Sequence, residues 1–277
     1  MRSNEALVAE ANLTVRSMKQ TLLEISRAVG QWRIWTALAW VTFHGRFRRT
    51  RLGPLWASLS TGVPLSALAI VWGILFGVNV REFFPYMFSG YIAWIVWSGF
   101  VKAGPSTFTA SKNLILNFPY PILLHSFQAA TVTMVELLYV APLFVIVALI
   151  TQSTEISFWT LLIIPAIFLM FINGVWIYTL LGMLGARFRD VAHGIGSVMV
   201  FVFLLTPILW TPDRLGDKAF IAYLNPFTHL IEIVRAPALG HPPLLLSVIV
   251  VLSITLVGTL LTVFVFHKYR KRIVFWL

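Results

Sequence analysis

Long apolar segments separated by short charged ones dominate the chain. The clearest boundary follows four arginines between Arg46 and Arg51, after which no charged side chain occurs from Leu52 to Val80. An apolar helix of this length is sufficient to cross about 30 Å of hydrocarbon. Because arginines resist translocation, the cluster also predicts that the segment before this span is cytoplasmic.

The same pattern predicts six membrane-spanning helices joined by short turns. Charged residues and prolines mark the boundaries, at about 55–78, 86–109, 122–150, 158–186, 192–210 and 244–266. The runs are long and continuous, whereas an outer-membrane barrel would show alternating segments of about ten residues. The predicted fold class is therefore an all-α membrane protein.

Segments outside the spans are also predicted to be structured. In residues 31–51, aromatic side chains recur at helical spacing beside arginines, which favours an interfacial amphipathic helix; an extension of the first span is the alternative. Residues 213–240 predict short helices that re-enter the membrane at the outer face. Residues 1–30 are a cytoplasmic N-terminal lead, and residues 52–277 form the six-span domain.

Composition and charge agree with this topology. With 58% hydrophobic residues, 11% charged residues and a mean hydropathy of +0.85, the chain has too little polar surface for a soluble globule. Of its 21 lysines and arginines, sixteen fall in segments assigned to the cytoplasm and four on the other side, with Lys102 inside a span. This is the positive-inside pattern of a protein with both ends in the cytoplasm, and a nucleic-acid partner is not expected.

The motifs of common enzymes are missing from the sequence. There is no Gly-Lys dipeptide, so a Walker phosphate loop is excluded, and neither a His-Glu-x-x-His zinc helix nor a Gly-x-Ser-x-Gly elbow occurs. His229 and Glu232 lie one turn apart beside Arg235, a spacing more typical of a local hydrogen-bonded cluster than of a metal site. No catalytic residue, metal site or cofactor is predicted in this chain.

Three features remain as candidates for function. Residues 111–121 predict a short helix, ended by two prolines, that touches a partner below the membrane. Lys102 and Glu136 are intramembrane charges, which are costly and often functional; snorkelling or mutual pairing is the alternative. A group of aromatic side chains forms either an interfacial belt or the lining of a channel that stacks on sugar rings: Trp72, Phe76, Tyr91, Trp94, Trp97 and Phe100.

Three motifs resemble one family. They are Arg48-Arg49-Thr50-Arg51-Leu52-Gly53-Pro54-Leu55-Trp56 before the first span, Arg187-Phe188-Arg189-Asp190 after the fourth, and Asn225-Pro226-Phe227-Thr228-His229-Leu230-Ile231-Glu232-Ile233-Val234-Arg235-Ala236-Pro237 before the last. The chain is similar to the transmembrane permease subunit of type-2 ABC exporters for bacterial surface polysaccharide, especially O-antigen. Exporters of capsule, teichoic acid or a small amphiphile are the alternatives, and a prenyl-phosphate membrane enzyme is a more distant one.

The resemblance implies a multi-pass homodimer in the bacterial inner membrane, surrounded by membrane lipids and bound to two copies of a separate ATPase that holds ATP and Mg. The substrate implied is a glycan on undecaprenyl diphosphate. Residues implied to couple to the ATPase are Lys112, Asn113, Leu116, Asn117 and Phe118. Those implied at the cytoplasmic gate and the diphosphate are Arg46, Arg48, Arg49, Arg51, Arg187, Arg189 and Asp190, although topogenic or headgroup-binding arginines explain the first cluster equally well. The implied periplasmic re-entrant residues are Asn225, Phe227, His229, Glu232 and Arg235.

Overall fold

The chain is helical throughout its described part. The computed structural model describes residues 18–77 and 79–277, apart from the side chains of Phe76 and Val80. Residues 1–17 of the predicted N-terminal lead, and the ring of Phe76 among the predicted channel aromatics, thus lie outside the described residues.

Twelve helices are numbered here in chain order within these described residues. They are α1 (18–30), α2 (Trp32–Gly45), α3 (Leu55–Phe76), α4 (Val80–Ala103), α5 (Thr107–Ala110), α6 (Lys112–Asn117), α7 (Leu124–Thr151), α8 (Ile163–Arg187), α9 (Val191–Leu205), α10 (Phe220–Leu224), α11 (Pro226–Ala238) and α12 (Leu245–Trp276). Short 3₁₀ helices occupy Gly104–Ser106, Phe158–Leu162 and Pro212–Lys218.

Four segments of the described chain are long and apolar enough to cross a membrane: Leu55–Leu75, Leu124–Thr151, Phe158–Arg187 and Leu245–Trp276. They make the chain a multi-pass membrane protein. The other two predicted spans correspond to α4 and α9. The 15 residues of α9 extend about 22 Å, which is short of the hydrocarbon thickness. The count of six spans stays a prediction.

Helix α4 lies at the centre of the bundle. It packs against α7, α8, α9 and α11, and most of its side chains between Met87 and Phe100 are buried. These residues include many aromatic and small side chains, which fill the spaces between neighbouring helices. A central helix needs less aliphatic character than a lipid-facing one, because protein surrounds it on all sides.

Several helix boundaries differ from the predicted ones. The predicted second span begins earlier, at Val80, and includes Pro85 inside the helix; the Arg81 carbonyl oxygen, which Pro85 cannot bond, accepts from the Ser153 hydroxyl at 2.7 Å. The fifth ends at Leu205, since Pro207 follows closely. The sixth continues past Phe266 to Trp276, so α12 extends beyond the apolar segment into the basic one.

The predicted N-terminal lead contains an ordered helix. Helix α1 packs its buried Ala28 against Ile273 of α12. The Arg270 guanidinium donates to a Glu24 carboxylate oxygen at 3.1 Å. The Thr21 hydroxyl lies 2.9 Å from the Nδ1 atom of His267. The two ends of the described chain are therefore joined by an apolar contact, an ion pair and a hydrogen bond.

Helix α2 packs along the first half of α7. Ala39 and Phe43 of α2 are buried against Val132 and Val135 of α7. The outer side of α2 keeps exposed apolar side chains, among them Trp40 at 52% exposure. Helix α2 thus has one packed side and one exposed apolar side, and the interfacial amphipathic helix over residues 31–51 stays a prediction.

Candidate functional site

The arginine cluster forms the connection between α2 and α3. Helix α2 ends at Gly45, so the arginines lie in a turn instead of continuing the predicted helix to residue 51. Arg48, Arg49 and Arg51 are exposed, and none of these three forms an ion pair with a carboxylate in the described chain. The connection thus presents three free guanidinium groups just before the apolar helix α3.

Arg46 differs from the other arginines of the connection. Its Nη1 atom lies 3.6 Å from the Oε2 atom of Glu136, and the two side chains are 53% and 34% exposed. Lys102, the predicted alternative partner of Glu136, is exposed in the last turn of α4. The structure therefore pairs Glu136 with Arg46, a partner that sequence reasoning did not propose.

Tyr139 fixes this connection to α7. Its hydroxyl is 3.0 Å from the Nε2 atom of His44, and its ring stacks on Phe43 with the centroids 5.2 Å apart. The Ser58 hydroxyl donates to the Tyr139 carbonyl oxygen. Tyr139 lies three residues after Glu136 on the same helix, so these contacts hold Arg46 and Glu136 together.

The predicted coupling stretch contains the short helix α6. Ile115 of α6 packs against the bundle, whereas Leu116 and Phe118, which follows the helix, are each 49% exposed. Asn113 and Asn117 are exposed too, and the Asn117 amide donates to the Asn113 carbonyl oxygen at 2.8 Å. The predicted short helix is confirmed, and its exposed apolar side chains are available to a partner.

The carboxyl-terminal end of α12 touches both of the elements that are predicted to be cytoplasmic, α6 and the residues after α8. The Lys112 ammonium donates to the Leu277 carbonyl oxygen, which joins α6 to α12. The Arg187 guanidinium lies 5.6 Å from the ring centroid of Trp276 and 5.1 Å from that of Phe188. Arg189 and Asp190 are exposed beside it. The buried residues Phe266, Arg270 and Ile273 recur at helical spacing, a signal that could have predicted this extension.

Three of the predicted channel aromatics are buried inside the chain. Trp94, Trp97 and Phe100 have exposures of 4%, 1% and 0%. The Trp97 indole N–H donates to the Leu230 carbonyl oxygen at 3.0 Å, and Trp94 packs between Phe203 and Phe227. These side chains leave no ring face for a sugar in this structure. Among the predicted set, Trp72 and Tyr91 are only partly buried.

A conservative substitution tests whether Trp97 is a core residue or a channel residue that stacks on sugar rings. Trp97→Phe keeps a ring for stacking but removes the N–H donor, so we expect about 1–3 kcal/mol of destabilisation. The midpoint of thermal unfolding, followed by circular dichroism, measures it. Trp159→Phe is the matched control, because Trp159 is 43% exposed in the 3₁₀ helix before α8. Equal midpoints for the wild type and the Trp97 variant would contradict the core assignment.

The two predicted short helices before α12 are confirmed as α10 and α11. Asn225 starts α11: its side-chain oxygen accepts from the Phe227 amide at 3.0 Å, and its amide donates to the Thr206 hydroxyl at 2.9 Å. Buried His229 lies 2.8 Å from both the Ser247 hydroxyl and the Tyr223 carbonyl oxygen. These bonds tie α11 to α9, α10 and α12, while its re-entry into the membrane stays a prediction.

Two acidic side chains lie near the helix pair α10 and α11. Glu232 is partly buried, and Asp213 is exposed in the preceding 3₁₀ helix. Burial raises the pKa of the Tyr223 phenol above its usual value, and the carboxylates of Glu232 and Asp213 raise it further. The phenol therefore stays protonated at neutral pH. Within the described residues, no group of three histidines, aspartates or glutamates is placed to hold a metal ion.

Arg235 is the one predicted re-entrant residue with a deeply buried charge. It is 4% exposed, its Nη2 atom donates to the Pro207 carbonyl oxygen at 2.7 Å, and its guanidinium lies 4.0 Å from the ring centroid of Tyr86. A methyl group on Gly90 would meet Nη2 at 2.1 Å, so glycine makes room for this side chain. Arg235 thereby fixes α11 against α4 and the end of α9.

The bundle and its exposed elements are together typical of a membrane subunit that binds a partner protein. The chain combines an apolar helical bundle, a cationic connection and a short helix with exposed apolar side chains. The family model for the ABC-2 type transporter matches residues 33–239. The chain therefore belongs to the ABC-2 type transporter family, as the three motifs predict.

A characterised relative points to one branch of this family. The chain is 21% identical over 200 residues to the O-antigen export system permease protein RfbA of Myxococcus xanthus. The alignment covers 71% of this chain and 76% of that protein. The predicted resemblance to a type-2 ABC permease of the O-antigen type is confirmed. Membership in the family also implies an ABC ATPase as partner.

Proposed function

We propose that this chain is the membrane subunit of an ATP-driven exporter that moves a lipid-linked polysaccharide, of the O-antigen type on undecaprenyl diphosphate, across the bacterial inner membrane. Two copies form the passage and bind two copies of a cytoplasmic ATPase, which holds ATP and Mg. Both ends of the chain face the cytoplasm. Family membership and the O-antigen relative support the transport class.

The observation that carries the choice of substrate is the arginine connection. Arg48, Arg49 and Arg51 are exposed beside the start of α3, where they are free to meet an anion. Guanidinium groups bind phosphate oxygens through paired hydrogen bonds, and a diphosphate offers several such oxygens. A diphosphate on a prenyl chain also places its charge next to its apolar part, as the arginines are placed next to α3.

Helix α6, the residues after α8 and the end of α12 support the proposal that this chain forms the passage while a separate subunit hydrolyses ATP. Helix α6 offers exposed Leu116 and Phe118 to the ATPase, with Lys112, Asn113 and Asn117 around them. Arg187, Arg189 and Asp190 contribute to the cytoplasmic gate. The end of α12 contacts Lys112 and Arg187, so a movement of α6 reaches the gate through one helix.

Charge reversal in the connection tests the proposed substrate. The double variant Arg49→Glu and Arg51→Glu is expected to lose stimulation of ATP hydrolysis by undecaprenyl diphosphate, because two carboxylates repel the diphosphate. The rate of phosphate release by the purified complex in nanodiscs measures this loss, which we expect to be at least tenfold in stimulated rate, since each charge-assisted contact contributes about 1.5–3 kcal/mol.

A control with the same change in charge separates this effect from topology. Lys19→Glu and Arg27→Glu alter two exposed cations of α1, outside the proposed coupling and gate residues, and should retain stimulation. Membrane insertion of both double variants is measured first, since removal of arginines weakens the positive-inside signal. Unchanged stimulation in the Arg49 and Arg51 variant would rule out the proposed role of the connection.

A further inference from the structure

Glu136 is the unexplained charge beside the arginine connection. It is the only acidic residue between Glu82 and Glu155, and it lies in an otherwise apolar stretch of α7. Its carboxylate contacts Arg46, the one arginine of the connection that has an ion-pair partner in the described chain. A carboxylate beside a proposed diphosphate site is unfavourable for the ligand, because it repels the anion and occupies a guanidinium.

The geometry makes this ion pair easy to exchange. The shortest distance between Arg46 and Glu136 is 3.6 Å, longer than a direct hydrogen bond, and both side chains are partly exposed. Pairs of this kind contribute little to stability. A diphosphate has more charge and more acceptor oxygens than one carboxylate, so it is the stronger partner for the same guanidinium.

The position of the pair is nevertheless well defined. Tyr139 holds α2 through His44 and Phe43, and it holds α3 through Ser58. Both ends of the connection are therefore attached to the helix that carries Glu136. These attachments keep Arg46 within reach of Glu136.

We propose that Glu136 is an internal competitor for Arg46, which the diphosphate of the substrate must displace in order to bind. The inference rests on the proposed function, since it assumes that the connection binds a diphosphate. In the empty state Glu136 neutralises Arg46, and on release of the substrate it takes the guanidinium back. Glu136 thus sets the affinity for the anionic lipid without touching it.

A double-mutant cycle tests this proposal on the full-length chain. Binding of undecaprenyl diphosphate to the protein in nanodiscs is measured for the wild type, Glu136→Gln, Arg46→Gln and the double variant. We expect the dissociation constant to fall about two- to fivefold in Glu136→Gln, in line with the strength of a partly exposed ion pair. It should rise in Arg46→Gln and stay at that raised value in the double variant.

Glu155→Gln provides the matched control, because Glu155 is exposed in the connection after α7 and should leave binding unchanged. An unchanged or weaker affinity in Glu136→Gln would overturn the proposal. So would an equal gain in the Arg46→Gln background, since that result indicates a general effect of charge and not competition for Arg46. Glutamine is nearly isosteric with glutamate, and unfolding midpoints check that the variants fold.

The Arg49 and Arg51 variant separates this proposal from the proposed function. If charge reversal there abolishes binding while Glu136→Gln has no effect, the diphosphate site stands and only the role of Glu136 fails. If charge reversal leaves binding intact, the proposed substrate site fails, and the role of Glu136 fails with it.

Discussion

A glutamate in place of Leu116 or Phe118 is expected to reduce export by more than tenfold while the ATPase continues to hydrolyse ATP. Both side chains belong to the proposed coupling stretch and are half exposed, so a charge there leaves the fold of this chain intact. Binding of the ATPase through an apolar contact would bury the new carboxylate without a partner. Burial of an unpaired charge costs several kcal/mol. The contact between the subunits is then lost or becomes unproductive.

Export of glycan in cells and ATP hydrolysis by the purified complex measure this uncoupling together. Ile156→Glu is the matched control, because Ile156 is 96% exposed in the connection at the opposite end of α7 from α6. The same charge at that position should leave both rates unchanged. Normal export in both the Leu116 and the Phe118 variants would refute the coupling role of α6.

The second large effect is expected at Gly185, where α8 passes directly over the 3₁₀ helix after α4. A methyl group at this position would lie 2.1 Å from the Pro105 carbonyl oxygen, a backbone atom that cannot move without shifting the helix. Overpacking of this kind costs about 1–3 kcal/mol and sometimes more. We expect Gly185→Ala to lower the unfolding midpoint by roughly 5–10 °C.

Export should fall as well, since Gly185 lies two residues before Arg187. Gly194→Ala is the control: its new methyl group meets no atom of this chain within 4 Å, and alanine favours a helix. The unfolding midpoint and the export rate are measured for both variants. If Gly185→Ala is as stable and as active as Gly194→Ala, the close approach of α8 to Pro105 is not present in the working protein.

Charge and proline boundaries predicted much of the helical order. The start of α3, the short helix α6 and the helices on both sides of Asn225 appear where the sequence places them, since each depends on local signals. Reliance on local signals also explains the wrong end of the sixth span. The predicted sixth span ends at Phe266, whereas α12 continues, because Arg270 becomes compatible with a buried helix face through Glu24 and Gln20, far away in the chain.

The roles of the aromatic residues could not be read from the sequence. A tryptophan at helical spacing is equally compatible with an interface, a channel or a core, and neighbours from other helices decide among them. Trp97 is a core residue because the Leu230 carbonyl oxygen lies opposite its N–H group. Glu136 presented the same difficulty, since its partner Arg46 lies far away in sequence and meets it only after α2 packs on α7.

The pairing of α1 with α12 constrains the order in which the chain is completed during synthesis. Thr21 and His267 are separated by 246 positions, so α1 lacks its hydrogen-bond partner on α12 until the helices between them have been synthesised. Ribosomes make the amino-terminal part first, so α1 is synthesised well before its hydrogen-bond and ion-pair partners on α12. The bonds between α1 and α12 can therefore form only after all the helices between them have been made.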